Sequence, residues 1–416
     1  MKSANRIVWA LALIGVFNAV ATLSAVAAPL EISVSAGQHD RRNTPVRIAL
    51  DLPKAHAKET VARLSGADGQ QLIGQLTAPG LLNMPDSDDQ EHVARELHFI
   101  LPSLDADQTA KFTVQPGGGP TAGPAFVWQD NEGLYSELHY GERPVLRYMY
   151  RAFDDSTPEK RFLTYKVFHH LFDQSGERIV TNGPDGQSGY DSKQILFPHH
   201  RGIFYGFNKC SYSGVERADV WHCQRDDHQS HGGLQAREAG PVVGRHRVVV
   251  DWHGKGKQVF AKEQREIAVY HLPDGRLVEF SSVLSSEVGP LKLDGDPQHA
   301  GFQFRAHNEV AAKTKGQTYY VRDDGQGKPG ETRNWPQDKS QADLAWKGIS
   351  FVLGDKRYTC AYLDKPTNPK EARFSERDYG RFGSYFEYEL DTGQTLAVNY
   401  RLWFQDGELT GEQIQS

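Results

Sequence analysis

Residues 386–404 read FEYELDTGQTLAVNYRLWF. Phe386, Tyr388 and Leu390 alternate with polar residues, Asp391-Thr392-Gly393 supplies a turn, and Leu396, Val398, Tyr400, Leu402 and Phe404 alternate again. A period of two puts each apolar set on one face of an extended strand. A turn containing Gly between two such runs predicts a β-hairpin. The same pattern recurs upstream. Residues 267–271 (IAVYH) turn at Pro273-Asp274-Gly275 into 277–284, and residues 349–353 (ISFVL) turn at Gly354-Asp355 into 358–363. Residues 203–207 (IFYGF) read as a buried strand. There is no long amphipathic helix and no fixed-period repeat; residues 228–238 and 339–346 each predict a turn or two of helix at most. With 40 Gly, 21 Pro and 11% aromatics, the chain reads as all-β: a large twisted antiparallel β-sandwich.

Working outward, short alternating runs at 30–34, 46–50, 96–101 and 111–114 predict a small N-terminal β-sandwich module over 28–115, structural or docking in role. PGGGPTAGP at 116–124 holds no regular element and reads as the linker, leaving 125–416 as the main domain. Residues 1–27 have a charged start (Lys2, Arg6), an apolar run over 7–20 and a small-residue Ala25-Val26-Ala27 site. That is the pattern of a signal peptide, so the mature chain is expected in the periplasm or outside the cell. No later run approaches the roughly 18 apolar residues of a spanning helix, so no membrane span is expected. A formal charge of −6 argues against nucleic acid and anionic membranes as partners.

The chemistry concentrates at 197–233, FPHHRGIFYGFNKCSYSGVERADVWHCQRDDHQSHGG, which holds five of the 17 histidines. Imidazole titrates near neutral pH and is the commonest metal ligand. His199 and His200 are adjacent; on a strand they would face opposite ways, one toward a site and the other into the core. Arg201 could fork onto a ligand carboxylate or pair with Asp191 or Asp219. Asp219, Trp221 and Cys223 would share a strand face opposite His222, and Trp221 could stack on a sugar or pack the core. His228 and His231 could chelate a divalent metal, zinc or calcium, or be solvated loop residues. Cys210 and Cys223 could form a disulfide; Cys360, in an alternating run, reads as core. His299, Arg305 and His307 share strand parity, with Gly301 leaving room beside them. Asp364 and Asn368 could reach the same groove or close an Asx-type turn around Pro366. No phosphate loop, GxSxG elbow or dinucleotide fingerprint is present.

His170-Leu171, His199-His200-Arg201-Gly202, Trp221-His222, His299 with Gly301 and Arg305, Leu363 to Asn368, and Tyr379-Gly380 occur in an order that resembles the bacterial PmoA-like family. That family is often labelled "methane oxygenase PmoA" and is a domain of unknown function. The resemblance covers roughly 144–407, and an N-terminal β module is common in it. The label implies a membrane copper oxygenase, which needs spanning helices that the mature chain lacks. The family's association with polysaccharide-degrading bacteria implies carbohydrate work. Residues and resemblance together lead us to expect an exported carbohydrate-active protein, an enzyme of lyase, hydrolase or epimerase-like type. His200, His222, His299 and Arg305 would carry catalysis, and Arg201, Trp221, Asp364 and Asn368 would bind substrate. The alternative is a glycan-binding module without turnover.

Overall fold

The computed structural model describes residues 30–415 apart from 68, 86–88, 120–122 and 187–194. The expected leader, part of the linker and Asp191 lie outside them. The last strand, Thr395–Asp406, buries Leu396, Val398, Tyr400, Leu402 and Phe404, as the alternation requires. Its ladder partners differ from the expected hairpin. Tyr388–Leu390 pairs with Leu291–Asp294 in a four-stranded sheet, whereas Thr395–Asp406 lies between Gly275–Ser286 and Lys356–Asp364 in a nine-stranded sheet. The turn at 391–393 thus carries the chain from one sheet to another. A three-residue strand offers little ladder, and the long strand instead pairs along nearly its whole length with Gly275–Ser286.

The two hairpins upstream form as expected, with Leu272 opposite Gly275 and Leu353 opposite Lys356. The nine-stranded sheet faces an eight-stranded one that contains Phe168–Leu171, Ile203–Phe207, Ala300–Arg305 and Arg381–Tyr385. Aromatic side chains interlock between them: Phe280 lies 4.5 Å from Phe302, and Tyr205 lies 5.7 Å from Trp252, ring centre to ring centre. The main domain is therefore an antiparallel all-β sandwich with one shared core. Residues 228–238 form an edge strand rather than a helical turn, paired with Gly244–His253 and bulged at His231/Gly233. Gly232-Gly233 disfavours helix and suits a bulge. No helix of the described residues is long and apolar enough to cross a membrane.

The N-terminal module is one continuous six-stranded sheet, not two separate ones. In its strand His92–Leu104, Leu97, Phe99 and Leu101 enter the module's own core. The alternate residues Glu96 and His98 reach the main domain, so the sheet must curl over its core to bury both sides. The docking is polar and buried: Glu96 pairs with Arg245 at 2.9 Å, His98 with the Tyr270 hydroxyl at 2.8 Å, and Arg47 with Glu279 at 3.1 Å. Glu279 alternates with Val278 and Phe280, which face the sandwich core. The module therefore covers the outer face of the nine-stranded sheet.

Candidate functional site

On the eight-stranded sheet, Tyr205, Phe302, Phe304 and Phe382 fill the core. Strand parity sends Phe204, Gln303, Arg305 and Arg381 to the opposite, outer face. Three turns fold over this face, and each contributes one histidine to a shared cluster. The first is Phe197–His200, closed by the His200 N–H donating to the Phe197 carbonyl at 3.0 Å. The second is Asp219–Cys223, closed by Cys223 N–H to Asp219 O at 2.9 Å. The third is Asp296–His299, closed by His299 N–H to Asp296 O at 3.0 Å. Gly202 follows the first turn, where the chain passes close to the His169 backbone. It sits at φ 51°, and a Cβ there would lie 2.1 Å from the His169 carbonyl oxygen.

The turns bring His199, His222 and His299 together, with a ring nitrogen of each within 4.8 Å of the others. Ring centres are 4.6 Å apart for His199 and His222, 4.7 Å for His222 and His299, and 6.1 Å for His199 and His299. His222 donates Nδ1–H to Asp219 at 2.8 Å, and His299 donates Nδ1–H to Asp296 at 3.0 Å. Each carboxylate thereby leaves its ring's Nε2 as a lone-pair donor. The Asp219 carboxylate also caps its turn, accepting the N–H groups of Trp221 and His222 at 3.1 and 2.8 Å. The buried Lys166 ammonium ties the first two turns together, donating to the His199 carbonyl at 3.1 Å and to the Trp221 carbonyl. Burial, reinforced by His222 and Lys166, pushes His199 down to about 2, and burial holds His200 well below the usual imidazole range. Both are neutral at neutral pH.

The centre is open on one side. His222 and His299 are 20% and 28% exposed. His299 also lines an open groove of about 720 Å³, walled by Asp296, Asn334, Trp335 and Arg377 among others.

Residues 197–200 form a turn rather than a strand, so opposite strand faces do not separate the pair; His199 lies in the triad and His200 is buried behind it. Their ring centres are 4.2 Å apart, and His200 stacks parallel to Tyr379 behind the triad. His199 Nε2 and both His200 nitrogens are buried without a hydrogen-bond partner in the protein.

Other expected site residues lie elsewhere. Trp221 is fully buried against Phe204 at 4.7 Å and offers no surface to a sugar. Residues 219–223 turn, so no strand face is shared there. Arg201 is buried over the Tyr165 ring at 3.9 Å and donates to the Phe162 and Pro198 carbonyls, with neither an Asp219 pair nor a ligand-facing fork. Arg305 braces the outer layer, bonding the Ala306 and Tyr379 carbonyls. Asp364 and Asn368 bond each other at 2.5 Å and join Asn399 in a separate network on the nine-stranded sheet. His228 and His231 do not chelate together. Three apart on a strand, they face opposite ways; His228 stacks between Phe153 and His253, and His231 meets the Tyr148 hydroxyl at 3.1 Å. Cys210 and Cys223 are free buried thiols. Cys210 sits in a ladder with Leu293, while Cys223 donates to Val220 O at 3.2 Å.

Sequence reasoning missed Asp296, Lys166 and Trp335. Asp296 had a readable signal. Asp219-Val-Trp-His222 and Asp296-Pro-Gln-His299 repeat one Asp-x-x-His spacing, and in both the carboxylate meets Nδ1 of the histidine.

A family model described as a family of unknown function, DUF6807, matches residues 135–416, which include every residue of the centre. No curated protein matches the chain.

Proposed function

We propose a function from the site's geometry, since the chain belongs to the DUF6807 family and that family's function is unknown. The protein is an exported enzyme acting on an oligosaccharide or modified sugar, with lyase or hydrolase chemistry at the imidazole centre. One observation carries this reading: His299 belongs both to the triad and to the wall of the groove, so a ligand lying in the groove meets the centre. The groove's volume suits a small polar molecule. Its wall combines the aromatic Trp335 with Asp296, Asn334 and Arg377, a mixture that suits a sugar's apolar ring face and hydroxyl rim. Cleaving a C–O bond calls for a proton donor or acceptor near neutral pH or a polarising centre, and clustered imidazoles supply either. The leader-like residues 1–27 support export. The PmoA-like resemblance, with its link to polysaccharide-degrading bacteria, supports a sugar substrate.

The test is turnover on a panel of plant, algal and bacterial oligosaccharides, read by mass spectrometry, for the wild type, His222→Ala and His299→Ala. Product from the wild type and a loss of at least about 100-fold in both variants is the expected result. Full activity in both variants overturns the reading. Trp335 on the groove wall favours a second reading, a glycan-binding protein. Saturable sugar binding by calorimetry with no product over a day would select it.

A further inference from the structure

We propose that His199, His222 and His299 form a binding site for one divalent cation of the zinc type, with a fourth position open toward the groove. The inference stands apart from the sugar reading, since it concerns the three rings alone.

Two independent observations carry it. The first is donor geometry. One nitrogen from each ring lies within 4.8 Å of the other two. Two imidazole nitrogens bound about 2.1 Å from one tetrahedral ion sit roughly 3.4 Å apart, so small ring rotations close the set. The second is how the rings are held. His222 and His299 each give Nδ1–H to a carboxylate, Asp219 at 2.8 Å and Asp296 at 3.0 Å. That arrangement fixes the tautomer, aims the ring and raises the basicity of Nε2, as in carboxylate–histidine–metal triads. The third ring, His199, has its Nε2 buried with no protein partner. Three imidazoles with no carboxylate among the donors suit a borderline ion such as zinc. Calcium takes six to eight oxygens and does not fit them.

Charge is consistent with occupancy. Lys166 and Arg381 lie close enough to act on His199 and oppose a cation. Asp219 and Asp296 offset them with two negative charges directly behind two of the donors. Partial exposure of His222 and His299 leaves an entry path and room for a bound water, whose proton such an ion makes easier to remove. Among the described residues, one other trio of such groups gathers, Asp51, Asp89 and His92. Its two carboxylates are exposed, and it has no second feature pointing to a ligand.

The test uses the full mature chain, stripped by a chelator and dialysed, and titrated with Zn²⁺ by calorimetry and with Co²⁺ by visible absorption; no sugar is needed. The expected result is one equivalent of either metal, with the intense cobalt bands of a tetrahedral site. His199→Ala, His222→Ala and His299→Ala should each weaken binding at least about 100-fold. Asp219→Asn and Asp296→Asn should weaken it about 10- to 100-fold, whereas His228→Ala and His231→Ala should not change it. Circular dichroism checks each fold, and the two Asp→Asn variants carry the test if an alanine variant does not fold. No saturable binding by the wild type overturns the proposal, as does binding of unchanged affinity in His222→Ala and His299→Ala. Metal binding with no sugar turnover would leave this site standing and remove the enzyme reading.

Discussion

The Asp219 carboxylate accepts the backbone N–H of His222 at 2.8 Å with one oxygen and that residue's ring Nδ1–H, also at 2.8 Å, with the other. Main chain and side chain of the histidine are thus set by a single group three residues earlier. Asp219→Ala should therefore act in two ways. It removes hydrogen bonds to a charged acceptor, each contributing about 1.5–3 kcal/mol, and it frees the ring. Thermal unfolding should show the loss of stability. Two-dimensional ¹⁵N NMR should show the His222 ring as a tautomer mixture, where the wild type keeps Nδ1–H. An unchanged ring spectrum would contradict the orienting role.

Gly202 makes a second case. A Cβ there meets a backbone oxygen, which cannot move aside as a side chain end can. Together with the left-handed backbone, Gly202→Ala should cost at least about 2 kcal/mol. The damage should be local to the turn bearing His199 and His200. In a denaturant titration the midpoint should fall. A variant as stable as the wild type would mean that the turn yields freely.

Stability should also depend on pH through histidines remote from the centre. His169, His170 and His246 are buried; His169 and His246 meet between the two sheets, Nε2 to Nε2 at 3.0 Å. Burial pushes His170 and His246 each down to about 3 and His169 well below its ordinary range. In the unfolded chain all three titrate near 6.5. Between those values the unfolded state binds more protons, so stability is full above about pH 6.5 and is lost as pH falls. Each group removes about 1.4 kcal/mol per pH unit in that window. The melting temperature should be level above about pH 7 and drop steeply below about pH 6. A melting temperature unchanged down to about pH 5 would refute this.

The docking of the module gives a fourth expectation. Arg245 is buried between Glu96 of the module and Glu238 of the main domain. Glu96→Ala strips a buried cation of one partner, a loss of about 3 kcal/mol. No tryptophan lies between residues 28 and 115, so tryptophan fluorescence reports the main domain alone. The variant should nonetheless lower the fluorescence-detected midpoint, because the two parts unfold together. An unshifted midpoint would show them to be independent.

Strand character was legible residue by residue. The alternation from Leu396 to Phe404 marks a half-buried strand wherever it lies, because periodicity is a property of the local chain. Pairing was not legible in the same way. Whether Asp391-Thr392-Gly393 closes a hairpin or turns a corner depends on which ladder the flanking strands can form, and Gly275–Ser286 is more than a hundred residues away. The site shows the same division. Crowded histidines pointed to the region around 197–233 and strand parity drew in His299, but the strand reading of His199 and His200 failed because residues 197–200 turn. Arg201, Arg305 and Trp221 carry the chemistry of binding groups and yet serve as braces, since burial is decided by what packs over them. The expected disulfide failed for the same reason. Sequence proximity of Cys210 and Cys223 says nothing of the separate ladder and turn that hold them.

The module sits on the outer face of the nine-stranded sheet, and the three histidine-bearing turns sit on the outer face of the eight-stranded sheet. Back and front of the molecule are therefore assigned. A copy tethered through the module, to a bead, an envelope or a companion protein, would turn its groove toward the medium. Fusions or surface redesign on that rear side should leave access for incoming molecules intact.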